Sequence, residues 1–211
     1  IITAVLVLPF YDIRRLAGEI CQADCLTDGR LEIGVGRGAF GYEFDRFNIP
    51  VEESRERFDD SLALLEELLS GKEVSWKSDW YDFDALSITP YSFQKTIPIW
   101  IAALTYPAIY HSAIRGYHIQ TTPLRGGMDT VRLQAGAFND AQRDAGGKID
   151  HLKFSMLRML YVAKDKKDAE EKVQLAYENH RRFTNVFETE GTVKNGAIIP
   201  IKTQESIDDV R

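Results

Sequence analysis

Leu31-Glu32-Ile33-Gly34-Val35-Gly36-Arg37-Gly38-Ala39-Phe40-Gly41 runs from a strand into a glycine-rich turn. Leu31, Ile33 and Val35 alternate as one strand face, and the glycines around Val35 and Arg37 let backbone approach a ligand closely. Gly36, Gly38 and Gly41 also satisfy the G-x-G-x-x-G spacing of a dinucleotide-binding turn. That motif needs a helix opening at the glycines, with its N-terminus on a pyrophosphate, and an acidic residue about twenty positions on at the end of a second strand. Here Tyr42 to Pro50 separates the glycines from the clear helical pattern beginning at Val51, and Asp59 and Asp60 fall inside that helix. A Rossmann-type NAD(P) binder is therefore the weakest of the readings carried forward.

Upstream, Ala4 to Leu8 reads as a buried strand. A helix follows from the N-cap candidate Asp12, with Ile13, Leu16, Ala17 and Ile20 on its apolar face, and Thr27-Asp28-Gly29 turns the chain. Downstream, a helix beginning near Pro50 carries Val51, Phe58, Leu62, Leu65 and Leu69 on one stripe and stops at Gly71. Val74 to Thr89, with Trp76, Trp80, Tyr81 and Phe83, alternates like a hairpin. Ile97 to Ala102 is the next strand, followed by a helix near Pro107 that ends at Gly116. Tyr117 to Thr121 is a strand, Val131 to Ala145 a helix, Phe154 to Val162 a fifth strand, and a last helix aligns Ala169, Val173, Ala176, His180, Phe183 and Phe187. Repeated β-α units imply a parallel sheet. Periodicity alone leaves open whether it is a doubly wound sheet or most of a closed barrel.

The 211 residues carry a net charge of -6, which disfavours a phosphate-tracking nucleic-acid surface and favours a small-molecule partner. Cys21 and Cys25 are the only cysteines. They are too few for a disulfide framework and lack the His and Cys company of a zinc site, so no metal is expected and both read as packing thiols. Ile1 to Leu8 is too short an apolar run to span a bilayer and has no basic stretch before it. A cytoplasmic protein with no membrane partner is the expectation. The chain opens on Ile in mid-strand, which points to sequence upstream.

Positions 51, 55, 58, 62, 65 and 69 share a helical face, so Arg55 is expected on the apolar stripe, where its charge needs a partner. One reading is a snorkelling or structurally paired guanidinium. The other is an anion site shared with Arg37, which stands at the carboxyl end of a strand, where barrel ligands bind; two arginines supply charge-assisted forks to one phosphate.

The same residues resemble the bacterial luciferase-like, flavin-dependent monooxygenase family. The resemblance runs through Ala4 to Pro9, Ala23-Asp24-Cys25-Leu26-Thr27-Asp28-Gly29-Arg30-Leu31, Gly34 to Gly38, Phe44, Phe47, Ser54-Arg55, then Pro90, Gln94, Pro98-Ile99-Trp100-Ile101-Ala102-Ala103 and Gly116. It implies an α/β TIM (β/α)8 barrel as a single domain over residues 1–211, incomplete, with about strands three to seven present and truncation at both ends. Lys202 to Ile207 resembles the approach to the last β-α unit.

The resemblance further implies that Arg37 and Arg55 bind the phosphate of reduced FMN, with donors from Ala103, Leu104 and Thr105. It sets Gly38, Ala39 and Phe40 beside the flavin ring or ribityl chain, Ala102 at the ring's edge, and a non-prolyl cis peptide near Ala4-Val5. Where Leu104 falls, family members commonly carry a small hydroxyl residue, a role Thr105 can take. The implied chemistry is oxygenation of a small organic substrate by reduced flavin and dioxygen, with a separate flavin reductase as a partner and a homodimer as the habitual assembly. Two alternatives stay open: a flavin-binding relative without turnover, and a deazaflavin-dependent oxidoreductase of the same fold. No catalytic base is assigned, because His111 and His118 have no paired acid in the sequence and read as surface or packing residues, and His180, on an apolar helix stripe, reads as a core-edge residue.

Overall fold

The computed structural model describes residues 1–124, 126–188, 193–202 and 206–207, with backbone only at 187 and 188. Of the residues singled out above, the Phe187 side chain and positions 203–205 lie outside that set.

Five parallel strands form one sheet in the order β1-β2-β5-β6-β7: β1 Leu6–Val7, β2 Ile33–Gly36, β5 Ile99–Ala102, β6 His118–Thr121 and β7 Phe154–Met156. Each strand pairs in parallel with the next one of the series. A doubly wound sheet reverses its strand order at a switch point. This sheet never reverses, so it is a segment of a singly wound barrel wall, and the dinucleotide-fold reading falls with that observation.

Helices α1 (Ile13–Leu26), α3 (Ser54–Leu69), α4 (Tyr106–Ile114) and α5 (Met128–Asp144) connect the strands. Repeated right-handed crossovers in one direction set such helices on one face of the sheet. Ile33, Val35, Ile101 and Ile119 form the core with Ile13, Leu16, Leu62, Leu65, Ile109 and Ala137. The alternate positions Gly34, Gly36, Trp100, Ala102, His118 and Gln120 consequently face the opposite, lumen side.

Local chemistry explains the boundaries. Asp12 caps α1 through its side chain, which accepts from the Arg14 N–H at 3.0 Å. Left-handed Gly71 and Gly116 follow α3 and α4 at φ of 74° and 96°, a conformation that ends helices at little cost only for glycine. The hairpin is present as β3 (Val74–Lys77) and antiparallel β4 (Asp82–Leu86). It is pinned to α3 by Trp76 Nε1 and Ser78 Oγ, which donate to the two Asp60 carboxylate oxygens at 3.0 and 2.9 Å. The peptide bonds Ala4–Val5 and Thr89–Pro90 are cis, the first where the resemblance implied it.

Three expectations are corrected. The fifth strand stops at Met156 rather than Val162. Leu157 N–H still donates to Thr121 O at 2.9 Å, but β6 ends at Thr121 and offers no further backbone partners, so Met159, Leu160 and Val162 are exposed. The helix predicted from Val51 begins as a 3-10 turn, Val51–Glu53, before α3. Arg55 falls within α3 itself, whose buried face runs through Ser61, Leu64 and Leu68 rather than along the stripe through Phe58 and Leu69. The buried side of α3 is Ser54, Ser61, Leu62, Leu64, Leu65 and Leu68, and Arg55 is exposed. Finally, the glycines do lead into a short helix, α2 (Gly41–Phe47), closed by left-handed Asn48. Its two turns bury only Phe44 and are too short for periodicity to register.

By its contacts the chain divides into two compact units, one of residues 1–38 and 49–157 that holds the sheet, the other of residues 39–48 and 158–211. The second contains α2, α6 (Lys166–Glu188) and the two-residue strands β8 (Val193–Lys194) and β9 (Ala197–Ile198). In α6 the expected stripe is only partly inward. Thr184, Asn185 and Val186 are buried, whereas Ala176 and Phe183 are exposed.

Candidate functional site

The carboxyl edge of the sheet gathers most of the candidate residues. Arg37 and Gly38 follow β2 directly, with Gly38 at φ 93°. Ala103, Leu104 and Thr105 follow β5 and lead into α4. A helix after a parallel strand runs back across the sheet, so the first turn of α3, which bears Arg55, starts from the same edge. Ala39 and Phe40 belong to the second unit, where the Phe40 ring stacks on Tyr42 at 5.9 Å between centroids.

Arg37 and Arg55 are exposed, and among the described residues neither side chain has a hydrogen-bond or ion-pair partner. Nearby arginines behave otherwise. Arg57 reaches Glu53 at 2.8 Å and covers the Trp80 ring, and Arg14 and Arg15 pair with Asp12 and Glu19. Two unneutralised guanidiniums at the ligand-binding edge suit an anion.

The loop after β5 divides its polar groups. Ala103 is buried and its N–H donates to Gln120 O at 3.0 Å, which leaves it no free donor. The carbonyl of Leu104 accepts from Gln134 Nε2 at 2.9 Å. Thr105 caps α4, its hydroxyl oxygen accepting from Ala108 N–H at 3.4 Å, so the hydroxyl proton remains to donate. No described acceptor takes the Thr105 N–H. Leu104 itself presents an exposed apolar side chain.

Below that edge the lumen face is shaped by glycine. A Cβ on Gly36 would lie 2.9 Å from Val5 Cγ2 and 3.5 Å from Ala102 Cβ, which sets Val5, Gly36 and Ala102 in one flat layer. One layer down, a Cβ on Gly34 would lie 2.0 Å from Thr3 O and 2.5 Å from Gln120 Oε1. Thr3 Oγ1 there accepts from Gly34 N–H at 2.8 Å, and Gln120 Nε2 donates to Thr3 O at 3.3 Å. The amino edge is polar and closed: Trp100 Nε1 donates to Glu32 at 2.5 Å, and the His118 ring lies 4.7 Å from the Trp100 ring. Burial holds the His118 imidazole below the ordinary histidine range.

His118 therefore stands at the edge away from the candidate ligand groups, and His111 is an exposed residue against Tyr110. Neither faces an acid at the carboxyl edge. Cys21 is buried, and burial pushes its thiol up, while Cys25 Sγ donates to Tyr91 O at 3.2 Å. Among the described residues no cluster of His, Cys, Asp or Glu could hold a metal, and no helix is long and apolar enough to cross a membrane.

Sequence reasoning missed Gln120, Gln134 and the Glu32–Trp100 pair. Gln134 carried a signal. It lies three, four and seven residues before Ala137, Phe138 and Ala141 and so stands on the apolar stripe of α5.

Comparison with known proteins places the chain in a family. A family model described as luciferase-like monooxygenase matches residues 1–204. Protein y4vJ of Sinorhizobium fredii, uncharacterized, is 34% identical over 164 residues, 77% of this chain and 47% of its own. The oxygenase component of flavin-dependent trigonelline monooxygenase from Acinetobacter baylyi is 29% identical over 210 residues, 96% of this chain and 57% of its own. The crystal structure of monooxygenase RslO1 from Streptomyces bottropensis superposes with a TM-score of 0.77 at 26% identity, covering 89% of this chain and 58% of that one. The chain thus spans about half the length of the curated relatives it matches.

Proposed function

Since this chain belongs to the luciferase-like monooxygenase family, we propose that it forms the flavin-phosphate side of a monooxygenase that uses reduced FMN and dioxygen to oxygenate a small organic substrate. The observation that carries the reading is the pair Arg37 and Arg55, without partners among the described residues, at the same sheet edge as the Thr105 N–H and the hydroxyl proton of Thr105, for which no described residue is an acceptor. Together they offer two charged forks and two neutral donors, a set that fits a phosphate dianion.

When bound, the flavin supplies the oxygen chemistry. The chain's part is to hold and orient it. Arg37 and Arg55 would neutralise the phosphate, and Thr105 would donate to it. Gly38 would lie along the ribityl chain or ring. The flat layer of Val5, Gly36 and Ala102 would bed the ring's edge, where any larger side chain would intrude. Ala103 contributes by its place in the ladder, which fixes the start of the Leu104–Thr105 turn.

The Acinetobacter relative is an oxygenase component, which supports a separate reductase as the source of reduced flavin here. A homodimer and a cytoplasmic setting are the remaining parts of the reading. The test is to supply the intact protein with reduced FMN under oxygen and a panel of small organic substrates, and to follow product by mass spectrometry. Oxygenated product dependent on both FMN and dioxygen is expected. Binding without product points to a relative lacking turnover, and a deazaflavin spectrum in the protein as purified from its host points to hydride transfer.

A further inference from the structure

We propose that Gln134 is a positioning residue that sets the preference of this site for a phosphorylated flavin, by fixing the direction of the Leu104–Thr105 peptide. The inference rests on the flavin-phosphate reading above.

Gln134 is 1% exposed, on the inner side of α5. Its Nε2 donates to two backbone carbonyls, Leu104 O at 2.9 Å and Thr122 O at 3.0 Å. These carbonyls belong to the loops that leave β5 and β6, so one amide ties two adjacent loops at the carboxyl edge. Both of its N–H groups are engaged, which fixes the orientation of the amide.

In a trans peptide the carbonyl and the following N–H point in opposite directions. With Leu104 O drawn toward α5, the Thr105 N–H is turned away from α5 and the outer helices. The other loop shows the contrast. There the residue after Thr122 is Pro123, which has no N–H. The same grip on both loops thus presents a single donor, at Thr105, beside the hydroxyl that already caps α4.

A second observation is independent of that geometry. Gln134 Oε1 is buried and has no hydrogen-bond partner among the described residues. An unsatisfied buried acceptor is costly, and an apolar residue of the same shape would avoid the cost. The neighbouring positions of the stripe, Ala137, Phe138 and Ala141, are apolar. What Gln134 does that they cannot is hold the two carbonyls.

The test compares Gln134→Met and Gln134→Glu with the parent, in the intact protein, by anaerobic titration with FMN and with riboflavin, which lacks the phosphate. Methionine fills the volume without donors, and glutamate sets oxygens against both carbonyls. Both variants are expected to bind FMN about tenfold more weakly, the scale of one charge-assisted hydrogen bond, with riboflavin affinity unchanged within about twofold. Equal weakening of both ligands, or no change in either, overturns the proposal. Should Gln134→Glu fail to fold, the methionine variant decides alone. A parent that binds neither flavin overturns the underlying flavin reading, and one that binds both equally overturns the phosphate site; both are read before any variant is made.

Discussion

Asp24, with no solvent exposure, accepts from the backbone N–H of Gln94 at 2.8 Å and from its side-chain amide at 2.7 Å, across 70 residues of chain. Gln94 Nε2 also donates to Leu31 O at 2.7 Å, so one buried carboxylate ties the end of α1 to the segment entering β5 and to the approach to β2. Asp24→Ala leaves those amide donors without their acceptor and is expected to lower stability by about 3 kcal/mol, the scale of hydrogen bonds to a buried charge. Denaturant unfolding of the variant checks it.

Gly34 and Gly18 make a paired prediction. A methyl at Gly34 meets backbone, Thr3 O at 2.0 Å, which cannot rotate away, whereas nothing lies within 4 Å of one at Gly18 in α1. Gly34→Ala is expected to cost about 3 kcal/mol or more by overpacking. Gly18→Ala is expected to stabilise by about 0.5 to 1 kcal/mol through helix propensity. Thermal melts of the two variants should move in opposite directions.

Two groups on β6 and its lead-in give stability a pH dependence of known sign. Burial lowers the folded-state pKa of His118, so the unfolded imidazole, near 6.5, takes a proton first. Its contribution is present above about pH 6.5 and is lost as pH falls through the folded value. Tyr117 is pushed up to about 12, by burial and then by its hydrogen bond to Glu66 at 2.8 Å. Its contribution holds below about pH 10 and fades as pH rises toward the folded value. His118→Phe should flatten the acid limb of the stability profile and Tyr117→Phe the alkaline limb, as read by denaturant midpoints across pH.

Much of the sheet was legible because its signals are local. Alternation at Ile33 and Val35, the Asp12 cap and the glycines after α3 and α4 each act within a few residues, and the structure keeps them where the pattern set them. The direction of winding was not legible, since it depends on which strands pair. The end of β7 depended on β6 running out of backbone, and the exposure of Arg55 on α3 turning its Ser61, Leu64 and Leu68 side inward, a neighbouring choice of face that periodicity does not decide. At the candidate site, Arg37 was singled out by its place after a strand, whereas Thr105 came only with the family resemblance. Gln134 was readable only as a polar residue on an apolar stripe, and its partners, Leu104 O and Thr122 O, are backbone atoms that side-chain patterns do not encode.

Anaerobic titration of the intact protein with reduced FMN, alongside Arg37→Ala and Arg55→Ala and with riboflavin as the control, tests whether the two arginines hold a flavin phosphate. Saturable FMN binding is expected, weakened by each substitution by about 1.5 to 3 kcal/mol, while riboflavin binding stays where it was. FMN affinity untouched by either substitution, or no FMN binding by the folded intact protein, would contradict it.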